Sequence, residues 1–175
     1  MDLPSDGTYG EGMTEQSPAI TTSHPPEALL RVFNPVLTLL LRTPLLGAAR
    51  KQFMTVSFTG RKTGRHFSVP LSAHLVDGIL YALSGANAKW KYNFRDGATA
   101  QVLFDGKTTP MHGELIEDPA LIASLYARLT ASYGAKRAGR SMGLAFRNDE
   151  VPTDDDFVEA VERLRLRAIR FTRAT

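Results

Sequence analysis

Cysteine is absent from the 175 residues of the chain, which excludes disulfides, thiolate metal ligands and cysteine nucleophiles. Histidine is scarce, occurring only at 24, 66, 74 and 112. With no i,i+4 pair and no HExxH arrangement, a histidine-based metal site has no support, and we expect no bound metal. His66 and His74 would share a strand face, but at roughly 3.3 Å per residue they lie too far apart to hold one ion. We expect them to be solvent-facing or hydrogen-bonded. No secretory signal pattern is evident, and with the missing thiols this points to a reducing cytoplasm. Long apolar runs are lacking as well. The most apolar stretch, residues 32–49, reads VFNPVLTLLLRTPLLGAA, and Pro35, Arg42 and Pro44 interrupt it before about 18 clean apolar residues accumulate. It should not span a membrane. An amphipathic version of it could touch a membrane surface, and packing on the rest of the fold is the plainer expectation.

What is present is ordinary for one globular core: 43% hydrophobic, 22% charged and 9% aromatic residues. Net charge is +3 with a pI near 9.3, and the basic residues cluster, which favours an anionic partner. Residues 1–24 carry Gly, Pro, Ser, Thr and acidic residues with little periodicity and read as a flexible tail. Residues 25–52 read as short helices broken by Pro35 and Pro44.

From Phe53 the period changes to strict alternation, the signature of half-buried strands, and residues 53–175 form the main domain. Val56 and Phe58 alternate with Thr55, Ser57 and Thr59. Phe67, Val69, Leu71, Ala73 and Leu75 alternate with His66, Ser68, Pro70, Ser72 and His74. Asp77-Gly78 and Asp105-Gly106 are hairpin turns, the first leading into Ile79–Leu83 and the second joining the strand of Ala100, Val102 and Phe104 to Thr108–Ile116. Trp90 to Asp96 reads as one or two helical turns stopped by Gly97. Asp118 caps a helix burying Leu121, Ile122, Leu125 and Leu129 and ending near Gly134, and Thr153 opens another with Phe157, Val161 and Leu164 on one stripe. The last run, LRAIRFTR, has inconsistent parity and reads as a sixth strand with a bulge or twist. The whole describes a mainly β, α+β protein: a small closed or nearly closed barrel with short helices around it.

Two segments carry chemistry. Gly60-Arg61-Lys62-Thr63-Gly64-Arg65 places three cations and two glycines in six residues, so amides and charged side chains could converge on a phosphate. Read alone, the turn is as well explained by solubilising charge. Trp90, Asn93 and Phe94, in W-K-Y-N-F, open a short helix that could offer amide donors to an anion, or simply bury an i,i+4 aromatic stripe. Asp154, Asp155 and Asp156 sit at a helix start and are explained by capping. The arginines at 163, 165, 167, 170 and 173 read as a solvated face. Without aromatics interleaved among the cations, nucleic acid is not expected as a partner.

Together, T-G-R-K-T-G at the end of one strand, a following strand containing Pro70, a D-G turn, a strand ending in Ser84, and then W-x-x-N-F make the chain resemble the deazaflavin (F420)-dependent nitroreductase family. That family is a branch of the split β-barrel, flavin-reductase-like and FMN-binding proteins. The resemblance covers about Phe53 to Tyr133. It implies a coenzyme F420 held by its phosphate at Arg61, Lys62 and Thr63, its ring near Pro70, Leu71 and Ser84. Trp90 and Asn93 would support the phosphate side, and Lys89 is the loop's one candidate cation. The implied reaction is hydride transfer from reduced deazaflavin to a small hydrophobic, electron-poor acceptor such as a quinone, enone or nitro compound. Tyr133, at the end of its helix, is the candidate catalytic hydrogen-bond or proton donor. The alternatives are an FMN-binding reductase of the same fold and a non-catalytic cofactor-binding protein. A homodimer with the cofactor near its interface also follows from the resemblance.

Overall fold

The computed structural model describes residues 17–23, 47 and 50–174. The proposed helices and membrane contact of residues 25–49 therefore lie, but for residue 47, outside the described residues, as does the tail up to residue 16. Its last part is not a tail: Ile20–Thr22 (β1) pairs antiparallel with Leu144–Phe146 (β8), and Ile20 is fully buried. Burial of Ile20, the pairing with β8 and the Arg147 and Arg163 bonds to the Ser17 and Ile20 carbonyls hold it in place, contacts that its polar composition hides.

The alternating segments form strands, but the run expected as one strand over 66–75 is divided at Ala73, which leaves Phe67 and Leu75 exposed and His74 buried. The main sheet comprises β2 (Phe53–Thr59), β3 (His66–Ser72), β4 (His74–Val76), β5 (Ile79–Ser84), β6 (Ala98–Phe104), β7 (Lys107–Ile116) and β9 (Arg167–Arg173). Their order is β3-β2-β6-β7-β9-β5-β4, antiparallel throughout. The two edge strands of that order are one run of chain bent at Ala73. Before the bend it pairs with β2; the Ala73 N–H still donates to the Gln52 carbonyl at 2.9 Å. After the bend it pairs with β5. The sheet thus curls into a split β-barrel of six runs, closed at the β4 end and open where β3 pairs with β2 alone.

Both Asp-Gly turns have positive φ at each central residue, 51° and 78° at Asp77-Gly78 and 46° and 75° at Asp105-Gly106. This geometry matches the twist of the flanking strands. The barrel interior is filled by Met54, Val56, Phe58, Leu80, Ala82, Val102, Leu115, Ile169 and Phe171.

Among the described residues, three α-helices cover one side: α1 (Pro119–Tyr133), α2 (Ala135–Met142) and α3 (Asp154–Arg163). The Asp118 carboxylate accepts from the Ala120 and Leu121 amides at 2.9 and 3.2 Å, and Thr153 and Asp156 form a reciprocal capping box. The buried stripe of α1 is Ile122, Leu125, Tyr126 and Leu129, whereas Leu121 is exposed, a correction to the expected face. Ile122 in the same turn is buried with Tyr126 against Phe157 and Val161, and Leu125 and Leu129 pack on Ala168, so the buried stripe passes to one side of Leu121.

The closing strand also differs from expectation. It pairs without interruption with both β5 and β7. Ala168 packs under Leu125 and Leu129 while Ile169 enters the barrel. Both faces of β9 are covered at Ala168 and Ile169, so these adjacent apolar residues need no bulge, while Arg170 reaches solvent and pairs with Glu114.

Candidate functional site

The Gly60–Arg65 turn joins β2 to β3, and its neighbour in space is the short 3-10 helix Lys89–Phe94. Asn93 binds the two together. Its Oδ1 accepts from the Arg61 backbone N–H at 2.9 Å, and its Nδ2 donates to the Trp90 carbonyl at 2.8 Å. The carboxamide is thus consumed in positioning, which explains physically why an asparagine follows the tryptophan by three residues.

A cavity of about 860 Å³ opens between these elements, lined by Phe58, Gly60, Arg61, Lys62, Thr63, Phe67, Lys89, Trp90, Tyr92, Asn93, Arg95 and Asp96. Its floor is aromatic. Phe58 stacks on Phe67 with ring centroids 5.6 Å apart and lies 6.2 Å from Trp90, while Phe94 meets both Phe58 and Trp90 edge-on. Gly60 fits because a Cβ there would stand 2.6 Å from the Phe67 ring.

The rim is cationic. Lys62 and Lys89 are exposed with no carboxylate within 4.0 Å among the described residues. Arg61 Nη1 is 2.7 Å from Asp96, and Arg95 makes a two-pronged contact with Glu117 at 3.0 and 3.1 Å. The Glu117 bond raises the arginine pKa further, so Arg95 stays charged.

Six of the residues named from sequence, Arg61, Lys62, Thr63, Lys89, Trp90 and Asn93, therefore share one cavity. Pro70, Leu71 and Ser84 do not line it. Leu71 packs against the barrel core. Ser84 is buried at the end of β5, its Oγ without a hydrogen-bond partner among the described residues.

Sequence reasoning missed Phe58 and Phe67, because alternation marks a strand face without saying whether it meets core or cavity, and Tyr92, because its helix is too short to show a face. It also missed Lys91, whose side chain is buried and donates from Nζ to the Gly85 carbonyl at 2.6 Å. Burial, and then the nearby Arg167 charge, lower its pKa. The bond pins the loop that carries Lys89.

Tyr133 is in a different place. It lines a second cavity of about 420 Å³ with Lys51, Gln52, Phe53, Ser72, Ala73, His74, Arg137, Arg140 and Ser141. This cavity lies at the opposite end of the β2–β3 hairpin. Phe58 pairs with Phe67 at one end and Phe53 with Ser72 at the other, five residues away, or about 17 Å. The Tyr133 hydroxyl is 3.4 Å from His74 Nδ1, and the Arg137 guanidinium stands 5.2 Å from the phenol centroid. His74 is not solvent-facing: it is buried, and desolvation lowers its pKa to about 4. The bend at Ala73 turns it away from the exposed row of His66 and under α1.

Among the described residues, no helix is long and apolar enough to cross a membrane, and no three His, Asp or Glu side chains are grouped to hold a metal ion.

Strand order, register and the bent closing run define the chain as a split-barrel protein. No protein-family model matches it, and no curated protein is significantly similar in sequence. Among solved structures it is similar to one described as a domain-swapped dimer, with 12% identity, TM-score 0.46, and 85% of this chain and 100% of that one covered. It is also similar to the conserved hypothetical protein Rv2991 from Mycobacterium tuberculosis, with 15% identity, TM-score 0.44, and 93% and 87% covered. A third is a Listeria innocua protein proposed to be a pyridoxamine 5'-phosphate oxidase, with 10% identity, TM-score 0.41, and 82% and 94% covered. Similarity at this level carries no functional argument, and the barrel assignment rests on the strand pairing.

Proposed function

We propose that the chain is a deazaflavin-dependent oxidoreductase that uses reduced F420 to reduce a small, hydrophobic, electron-poor acceptor such as a quinone, enone or nitro compound. The observation that carries this reading is the convergence of Arg61, Lys62, Thr63 and Lys89 on a cavity floored by Phe58, Phe67 and Trp90. Cations and a hydroxyl at the rim suit a phosphate, and an aromatic floor suits a planar ring. Gly60 permits close backbone approach. The residues present therefore fit the group that the sequence resemblance implies.

The bound deazaflavin would supply the hydride. The protein's own contribution is positional and electrostatic. Arg61 and Lys62 anchor the phosphate, Asn93 holds the turn that presents them, and Trp90 with Phe58 excludes water from one side of the ligand. In this reading Pro70 and Leu71 border the path of a ligand running along β3, and Ser84 stands behind the loop of Lys89. Tyr133 meets the acceptor only if it sits about 17 Å along the hairpin from Phe58. A homodimer belongs to the same reading.

Spectral titration with purified F420 and, separately, FMN tests the proposal, with the single tryptophan, Trp90, as an internal reporter. Saturable spectral change and quenching with F420 at micromolar concentration are expected. Tighter binding of FMN would transfer the reading to a flavin reductase. Tight F420 binding with no acceptor reduced across a broad panel would make the chain a cofactor carrier. No change with either cofactor overturns it.

A further inference from the structure

We infer that the cavity beside His74 and Tyr133 is a second binding site, for a small molecule bearing clustered anionic oxygens, held by Arg137, Arg140 and Lys51. It does not draw on the reading of the first cavity.

Charge placement carries the argument. Arg137 and Arg140 lie three residues apart on α2 and so share a helix face. Lys51 reaches the same cavity from the opposite wall, just ahead of β2. Among the described residues none of the three has a carboxylate within 4.0 Å, whereas Arg50, Arg128 and Lys136 are matched with Asp105, Asp77 and Asp149. No acidic side chain is among the described residues lining the cavity. Three like charges around one concavity repel one another and attract an anion, and arginine forks match the geometry of phosphate and carboxylate oxygens.

The floor adds selectivity. Its volume of about 420 Å³ suits a small metabolite rather than a chain. The Tyr133 hydroxyl, fixed against His74 Nδ1 at 3.4 Å, and the hydroxyls of Ser72 and Ser141 provide neutral hydrogen-bonding groups beneath the cations. Burial keeps His74 uncharged near neutral pH. The cations therefore supply the attraction, and the dyad supplies a fixed polar contact.

Calorimetric titration of the full chain at low ionic strength, with no cofactor present, tests this. One arm uses inorganic phosphate and pyrophosphate, the other succinate and citrate, and sodium chloride is the control for general screening. Saturable binding in at least one arm is expected, weakening as salt is added, and the stronger arm names the oxyanion. The double variant Arg137→Gln/Arg140→Gln should bind at least about tenfold more weakly. The exposed Lys51→Gln gives a milder loss and serves as a second probe should the double variant melt early. In Arg61→Ala/Lys62→Ala, where the first cavity has lost its phosphate anchors, the binding that depends on Arg137 and Arg140 should remain. Absence of saturable binding in both arms, or binding lost with Arg61 and Lys62 but retained without Arg137 and Arg140, overturns the inference.

Discussion

Asn93 reaches across 32 residues of sequence to accept the Arg61 backbone N–H at 2.9 Å, while donating to the Trp90 carbonyl at 2.8 Å. One carboxamide thus sets the distance between the basic turn and the aromatic helix. Asn93→Ala should lower stability by about 1–3 kcal/mol, the net worth of two hydrogen bonds. Asn93→Asp keeps the acceptor, loses the donor and adds a negative charge to the rim. It should retain more stability than the alanine variant but bind a phosphorylated ligand less well. Denaturant melts and ligand titration on both variants separate the two effects.

Asp96 competes for Arg61. The pair is exposed on both sides, so Asp96→Asn should change stability by less than about 1 kcal/mol. Freed of that partner, Arg61 should bind a phosphate-bearing ligand severalfold more tightly, with a steeper loss on adding salt. Weaker binding in this variant would mean that Asp96 orients Arg61 rather than neutralising it.

His74 predicts a pH dependence. Its pKa is lowered to about 4 by burial, from 6.5 in the unfolded chain. Between those values the unfolded chain binds the proton and the native one does not, so acid favours unfolding. The stability linked to a neutral His74 is complete above pH 6.5 and falls as pH drops towards 4, by roughly 3 kcal/mol in all. Thermal melts from pH 7 to pH 4 should show this slope, and His74→Phe should flatten it.

Gly113 faces the barrel interior, where a Cβ would lie 2.6 Å from Phe94 and 2.8 Å from Phe171. Both rings are buried and packed edge-to-face on each other, so moving one displaces the other. Gly113→Ala should therefore cost about 1–3 kcal/mol through overpacking, although alanine is otherwise better tolerated than glycine in regular structure. Unaltered stability would show that the two rings can shift together.

Tyr133→Phe tests the proposed catalytic role. If the phenol donates a proton or hydrogen bond to the acceptor, turnover on a quinone or enone should fall by roughly 10²-fold with cofactor affinity unchanged. Equal turnover would leave Tyr133 as the partner of His74 and a wall of the second cavity.

Much of the architecture was legible because it depends on local rules. Alternation between Phe53 and Ile116 marks strands, Asp-Gly pairs mark the two tight turns, and Asp118 and Thr153 mark helix starts, each through interactions within a few residues. The residue types of the first cavity were legible for the same reason, since a run such as Gly60–Arg65 concentrates charge wherever it lands. Non-local contacts decided the rest. Only the bend at Ala73 moves one run from β2 to β5, closing the barrel and burying His74 beneath α1. Only packing shows that β9 is covered on both faces at Ala168 and Ile169, that Leu121 is exposed, and that Lys91 points inward to the Gly85 carbonyl. Tyr133 and Arg61 line different cavities, with the length of the β2–β3 hairpin between them, a separation that no local spacing reveals. Sequence spacing determines which side chains share a face of one element, whereas only the packing of elements sets which faces meet across a cavity.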